Sequence, residues 1–509
     1  MFVHRPPARP PLRPVPTVSR RPLLRRILGV DDADLGRTAA FALLYLAVFA
    51  ALTAFDGVAV SLFVKRVGVD ALPRTFGLVA LANLVAVGLY VLFAERFSNV
   101  RVFVGLALGT SLSCLGAWAF LSGDAPIADP RPYTFMYAAR EVFQALFLLH
   151  FAAFVQRFFT RAHLQQVMPL IYAGGRVGGM VGGVLLTHAG PSVGIVNLLL
   201  VGGVIASTVA VGAVVLHLRF TPALDPGDDE ASSSLRGANG RSALELDRQA
   251  RASMRGFLDS LARSPLLLWH AVSTMVYIGC RLVLAYQYSG FFESRFASEV
   301  ELAAFLGTYA QIALGVSLVL QLFLLTRLVR WIGLRGTQFA YATAVFAALT
   351  MHAVHPTLVV AVFARFVDQE LRLCLRNPTN QLVTNLLSRP LRNRLRCFNA
   401  GVVTPASTLA TSVALGTASA AAWPLAVPML GLVLGFFYLV SNRRMNLAYA
   451  ERRATKGATS ARTPTLRLDR QSTPLESGRE HWRSEVESSR RAPQTLPRTP
   501  TLRLGASFR

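Results

Sequence analysis

Runs of roughly twenty apolar residues, each closed by a short polar turn, recur along most of the chain. A stretch of that length is enough for an α-helix to cross the hydrocarbon core of a bilayer. Twelve such spans are predicted, at about 38–64, 76–94, 100–122, 133–156, 167–188, 192–217, 265–290, 302–329, 338–354, 357–387, 397–418 and 422–441. The polar turns between them supply an independent check on that count. With the N-terminus placed in the cytoplasm, the inward loops hold Arg96 and Arg101; Arg157 and Arg161; seven arginines within 218–264; Arg327, Arg330 and Arg335; and Arg389, Arg392, Arg394 and Arg396. The outward loops hold Lys65, Arg66, Arg74, Arg131 and Arg295, so the tally is 18 against 5. Basic residues accumulate in cytoplasmic loops, and an even number of spans keeps both basic termini on that side.

Composition agrees with this pattern. Of 509 residues, 53% are hydrophobic and 16% charged, whereas soluble domains carry roughly 25% charged residues. An ordinary cytosolic enzyme is excluded. The net charge of +25 would suit a nucleic-acid binder, but the cations sit in the flanks and short loops, as in membrane proteins, and no nucleic-acid partner is expected. Cys114, Cys280, Cys374 and Cys397 are far apart, with no CxxC or Cys/His cluster, so neither a disulfide framework nor a metal site is indicated. His352 and His355 have ligand-like spacing but no acid or cysteine near them; they read as loop residues at the outer surface.

The spans divide the chain into five parts. Residues 1–37 form a Pro-rich basic arm with eight Arg against three Asp. A first six-helix bundle covers 38–217 and a second covers 265–441. The connection between them, 218–264, begins Gly/Ser/Asp-rich. It continues with Leu246, Ala250, Met254, Phe257, Leu258 and Leu261 at helical spacing, opposite Arg248, Arg251 and Arg255, which predicts a helix lying on the inner membrane surface. Residues 442–509 form a basic, disordered tail in which the heptapeptide at 462–468 is repeated at 498–504. Two copies without a packing pattern do not make a solenoid.

Charges inside a span are costly unless they face a cavity or one another, so each is a functional candidate. The tenth span places Arg365, Asp368, Arg372 and Arg376 on one helical face, with Asn380 continuing it and Asn377–Pro378 predicting a kink. Two readings of this stripe stand: an ion-pair ladder locking neighbouring helices, or a water-filled passage for an anionic solute. The fourth span adds Arg140 and Glu141, with Tyr137 and Gln144 nearby. The fifth carries two parallel glycine ladders, Gly174–Gly178–Gly182 and Gly175–Gly179–Gly183, with Arg176 among them. Small-residue ladders let helices approach closely in lipid; no strand precedes them, so they are not a dinucleotide fingerprint. Arg281 in the seventh span and Asp56 in the first are positioned to pair across the bundle. No nucleophile elbow, P-loop or metalloprotease helix occurs, so neither an enzyme nor a bound cofactor is expected.

Several stretches resemble the nucleotide-transporter (ATP/ADP translocase) family of bacteria and plastids: 89–101 at the second turn, 154–161 leading into 169–179, 301–309 entering the eighth span, and 377–388 followed by 392–401. The similarity lies in layout and turns over roughly 38–441. It implies a twelve-helix, major-facilitator-like alternating-access carrier, with ATP/ADP exchange as the family activity. The family's acid in the fourth span falls on or beside Glu141, which is retained. Its basic–acidic pair falls on Asn380 and Gln381, both uncharged, and its lysine in the second span falls near Leu78.

The expectation is therefore an all-α polytopic membrane protein, two six-helix bundles in a bacterial inner membrane. It acts as a monomeric secondary transporter for a small anionic solute, such as a nucleotide or another phosphate or carboxylate compound. The candidate solute-binding residues are Arg140, Glu141, Arg176, Arg281, Arg365, Asp368, Arg372, Asn380 and Gln381. The rival expectation is a non-transporting scaffold or sensor whose basic termini recruit a partner.

Overall fold

The computed structural model describes residues 32–123, 129–159, 161–220, 256–421 and 423–462. Among these residues there is no strand. Twelve helical rods run back and forth: α1 (Asp32–Arg66), α2 (Leu72–Arg96), α3 (Asn99–Leu121), α4 (Arg131–Gln156), α5 (Arg161–Val184, continued to Val193), α6 (Asn197–Arg219), α7 (Pro265–Arg295), α8 (Glu299–Val319, continued through Leu324), α9 (334–354), α10 (358–384), α11 (389–420) and α12 (Ala426–Arg462). Among the described residues, nine helices are long and apolar enough to cross a membrane. The rods α9, α10 and α11 fall outside that set; α10 carries the buried charges and α11 opens on a run of arginines. The described residues up to Arg452 form one compact unit, and 453–462 are the helical end of α12.

Local sequence sets the breaks. Ser98, Ser298 and Thr357 accept hydrogen bonds from backbone amides at the starts of α3, α8 and α10, the usual chemistry of helix N-caps. Gly333, at φ 73° and ψ 171°, separates α8 from α9 in a region of backbone space that side chains avoid. Large apolar side chains such as Leu112, Val413 and Leu218 are 69–79% exposed. Water would not tolerate so much apolar surface; it is the coat that faces lipid.

The two glycine ladders of α5 serve two different neighbours. A Cβ on Gly174, Gly178 or Gly182 would strike the α1 backbone carbonyl of Ala42, Leu46 or Ala50. On Gly179 and Gly183 it would strike Leu314 and the Gly307 carbonyl of α8. The first ladder builds the first half; the second is divided, with Gly175 against Tyr45 of α1 and Gly179 and Gly183 sealing the first half to the second.

Apolar packing is uneven along the bundle axis. At the end opposite the described starts and ends of the chain, α1, α2 and α4 residues (Val60, Phe63, Phe76, Tyr137) share one cluster with second-half residues such as Tyr288, Phe292 and Leu306. Lys65 there donates to the carbonyls of Glu293 and Phe296 at 2.8 and 2.7 Å, and Arg66 pairs with Glu299 at 2.5 Å. At the other end the clusters separate. Phe41, Phe103, Phe154 and Ile171 belong to the first half alone, and Phe257, Leu267, Leu395 and Tyr449 to the second. The halves are joined at one end and parted at the end that carries the basic turns.

Three expectations need correction or restriction. The amphipathic segment 246–261 lies largely outside the described residues; its final part is a short helix over 256–263 whose Phe257 is buried in the second-half cluster. His352 is not a loop residue but a buried one in the last turn of α9, while His355 is exposed beyond it. The basic N-terminal arm and the repeated tail heptapeptides lie outside the described residues, apart from the ends of α1 and α12.

Gly178→Leu is expected to cost about 1–3 kcal/mol, because its Cβ meets backbone and cannot be accommodated by a side-chain rotation. Gly105→Leu, where nothing lies within 4 Å, leaves stability unchanged. Thermal unfolding in detergent compares the two.

Candidate functional site

The polar centre is built on α10. Over Val367–Arg376 the helix widens into a π-helix, with the Asn377 amide bonded to the Arg372 carbonyl, five residues back. Pro378 follows immediately and lacks an amide donor, so the wider turn takes the place of the predicted kink. The altered winding changes which side chains share a face. Instead of one stripe of Arg365, Asp368, Arg372 and Arg376, Arg365 faces the first half, and Glu370 turns to it as well.

Four carboxylates and their arginines sit in this layer. Asp56 on α1 pairs with Arg140 on α4 and also with Arg365 Nη2 at 3.7 Å, bridging the halves. Arg176, from the α5 glycine ladder, pairs with Glu370 at 2.5 Å, again across the halves, with side chains only 12% and 8% exposed. Arg281 Nε donates to Asp368 at 3.0 Å, and the Tyr288 hydroxyl donates to the other Asp368 oxygen at 3.2 Å. Glu141 lies 3.3 Å from Arg140 and within electrostatic range of Arg281 and Arg372. Aromatic rings carry part of the desolvated positive charge: Tyr137 beneath Arg140 (3.9 Å), Tyr309 and Tyr288 beside Arg365 (5.2 and 5.6 Å), and Tyr277 beneath Arg376 (3.6 Å).

A cavity opens between the halves beside these pairs, lined by Asp56, Arg176, Arg365 and Glu370 among apolar residues of α1 and α8. Its free volume of about 90 Å³ admits several waters, each needing roughly 10–15 Å³. Three of the buried polar atoms without partners lie in this layer: Arg365 Nε, Arg140 Nε and the hydroxyl of Tyr309. Thr53, Gln144 and Gln369 add neutral hydrogen-bonding groups to the lining. An orphaned donor in a dry interior costs about 1–3 kcal/mol, a cost that a water oxygen reaching these atoms would lower.

In sequence the chain matches no known family profile, and no curated protein matches it. Solved structures do match, over nearly their whole length. A POT family transporter, PepTSo, superposes with a TM-score of 0.57 at 10% identity, covering 82% of this chain and 98% of its own. The nucleoside transporter NupG gives 0.55 at 11%, covering 82% and 99%. The xylose transporter XylE from E. coli, in an inward-open conformation, gives 0.51 at 11%, covering 79% and 95%. The fold is major-facilitator-like. At such identities the likeness shows the major-facilitator-like architecture alone.

Of the sequence candidates, Arg140, Glu141, Arg176, Arg281, Arg365 and Asp368 come together in this layer. Arg372 is half-buried, with its Nε unpartnered and no carboxylate within ion-pairing distance among the described residues. Two candidates are displaced. Asn380 accepts a hydrogen bond from Gln338 of α9 at 3.2 Å, and Gln381 is exposed; both lie beyond the widened turn, away from the cavity. Glu370 and Tyr309 were not singled out. Regular α-helical spacing puts Glu370 off the arginine face, and a tyrosine in an apolar run carries no signal of its own. Gln144, beside Arg140 in sequence, does line the cavity.

Arg176→Gln is expected to destabilise the fold by about 3–5 kcal/mol, because it strands buried Glu370. The Arg176→Gln/Glu370→Gln double variant recovers most of that loss. A double-mutant cycle of thermal unfolding gives the coupling.

Proposed function

We propose that this chain is a secondary transporter working by alternating access, with its solute site in the cavity between 38–217 and 265–441. The observation that carries this reading is the pair of unpartnered buried donors on residues that line this cavity, Arg365 Nε and the Tyr309 hydroxyl. Carboxylates alone do not satisfy them, and a solute oxygen entering the cavity would. The arginines Arg140, Arg176, Arg281, Arg365, Arg372 and Arg376 outnumber the acids Asp56, Glu141, Asp368 and Glu370 by six to four, which favours a solute bearing negative charge. A phosphate or carboxylate group suits the forked guanidinium; a nucleotide is one such solute, in line with the sequence resemblance.

Transport requires both inter-half ion pairs, Asp56–Arg365 and Arg176–Glu370, to break. A bound anion would take over an arginine as its carboxylate leaves, sparing a bare charge in a low-dielectric interior. With the basic turns in the cytoplasm, both termini are cytoplasmic and the parted end faces inward. Among solved structures of this fold are a nucleoside transporter and a xylose transporter; the excess of arginine here favours an acidic solute instead.

Purified protein screened by thermal shift against nucleotides, phosphosugars and organic acids should be stabilised by an anion; at a concentration 100-fold above Kd the gain is about 2.7 kcal/mol. Arg365→Gln should abolish both that shift and uptake into proteoliposomes. Uptake that survives in Arg365→Gln while stability falls would make the arginine layer a structural ladder. Removal of 463–509 should leave the flux intact; loss of activity on that deletion favours the scaffold reading.

A further inference from the structure

Four charged side chains line the cavity: Asp56, Arg176, Arg365 and Glu370. They are not equivalent. Asp56 and its partner Arg140 both belong to the first half, so that pair survives any movement of one half against the other. Arg365 belongs to the second half and leans on Asp56 from 3.7 Å, with its Nε unpartnered. Arg176 and Glu370 come from opposite halves, and among the described residues each is the other's one ion-pair partner. When the halves separate, Asp56 therefore keeps a cation. Three groups lose their counterions: the guanidiniums of Arg176 and Arg365 and the carboxylate of Glu370.

Those three charges have a definite chemical complement. A carboxylate left bare in a low-dielectric interior is as unfavourable as a bare guanidinium. A simple anion that takes Arg176 away from Glu370 cures one charge and exposes the other. The Glu370 side chain is only 8% exposed, so bulk water gives it little relief. A solute with an acidic group for each arginine and an ammonium for Glu370 satisfies all three. Size points the same way. The cavity's free volume of about 90 Å³ holds roughly six to nine waters at about 10–15 Å³ each. A compact diacid with one amine has about nine or ten non-hydrogen atoms, close to the number of waters it would displace. A nucleotide, with roughly three times as many, needs the cavity to widen first.

We propose that the solute is an α-amino diacid, with one acid group on Arg365, the other on Arg176 and its ammonium on Glu370. The inference rests on the alternating-access reading and the acidic solute argued above, and narrows that solute to one class. An ammonium carries three donors. Glu370 accepts from it directly, and Thr53, Gln144 and Gln369 of the lining offer neutral oxygens for the remainder. The unpartnered Tyr309 hydroxyl can donate to a solute carboxylate.

The test is a titration of the purified full-length protein at neutral pH, read by thermal shift and calorimetry. It uses matched pairs that differ by the amine alone: L-glutamate against glutarate, and L-aspartate against succinate. The amino diacid of each pair is expected to bind at least about tenfold more tightly, since one partner missing from a buried ion pair costs more than that factor. Glu370→Gln should erase the preference by weakening L-glutamate without weakening glutarate. Should that variant fail to fold, the ratio measured on the unaltered protein decides alone. L-alanine, with an ammonium and a single acid group, should bind more weakly than L-glutamate by a similar factor; equal binding would overturn the proposal. Equal binding of glutarate and L-glutamate would mean that a proton, and not the solute, neutralises Glu370. That result overturns the proposal and leaves the acidic-solute reading standing, as does binding of ATP without binding of either amino diacid. If none of these acids binds, ATP included, the acidic-solute reading itself fails.

Discussion

The constraint that organises this molecule is the cost of placing guanidinium groups where water is scarce. A lone charge inside a membrane span is costly by any measure, and Arg140, Arg176, Arg281, Arg365, Arg372 and Arg376 lie within helices of the bundle. The chain meets the cost with four carboxylates, a set of tyrosine rings and a cavity. Two of the resulting ion pairs, Asp56–Arg365 and Arg176–Glu370, join helices from opposite halves. The same charges that are hard to bury therefore also hold the two bundles in register. Replacing such pairs by apolar residues would often raise stability; in the proposed transport cycle they would come apart and re-form.

Asymmetry along the membrane normal follows from how the helices pack. Glycines at 179, 183 and 307 let α5 and α8 meet backbone to backbone at the joined end, and Lys65 and Arg66 tie the first turn to the end of α7 and the start of α8. At the opposite end the aromatic cluster around Phe154 and the cluster around Tyr449 remain separate. Packing energy is therefore concentrated at one end, and a small rotation of one half against the other would transfer it. Packed interfaces are bistable rather than continuously deformable, which suits two discrete states.

Much of this was legible in the sequence, for identifiable reasons. Apolar runs of fixed length report membrane spans directly, because the bilayer sets the length. The glycine ladders of α5 were visible as spacing, and their two faces proved to have two partners. Arg140, Arg176, Arg281, Arg365 and Asp368 stood out because charge within a span is rare. Glu370 was passed over and Asn380 put on the arginine face for one shared reason: the π-helical turn at Val367–Arg376 changes the phase of everything around it, and no local signal marks it apart from Pro378 at its end. Asp56 was seen only as a possible partner, and its bridging of Arg140 and Arg365 depends on long-range packing. The resemblance to nucleotide carriers pointed to the fold, and the missing charges at Asn380 and Gln381 match their place outside the cavity.

The central claim is that the cavity between the halves opens to one end at a time. Spin labels at Phe97 and Arg394 report the parted end, and labels at Ser122 and Trp423 the joined end; all four positions are exposed and each pair spans the halves. Distances from pulsed electron resonance in lipid should show two populations at each end. Conditions that shorten the Phe97–Arg394 distance should lengthen the Ser122–Trp423 distance. A single unchanging distance at both ends, with the anion that binds present or absent, would contradict the account.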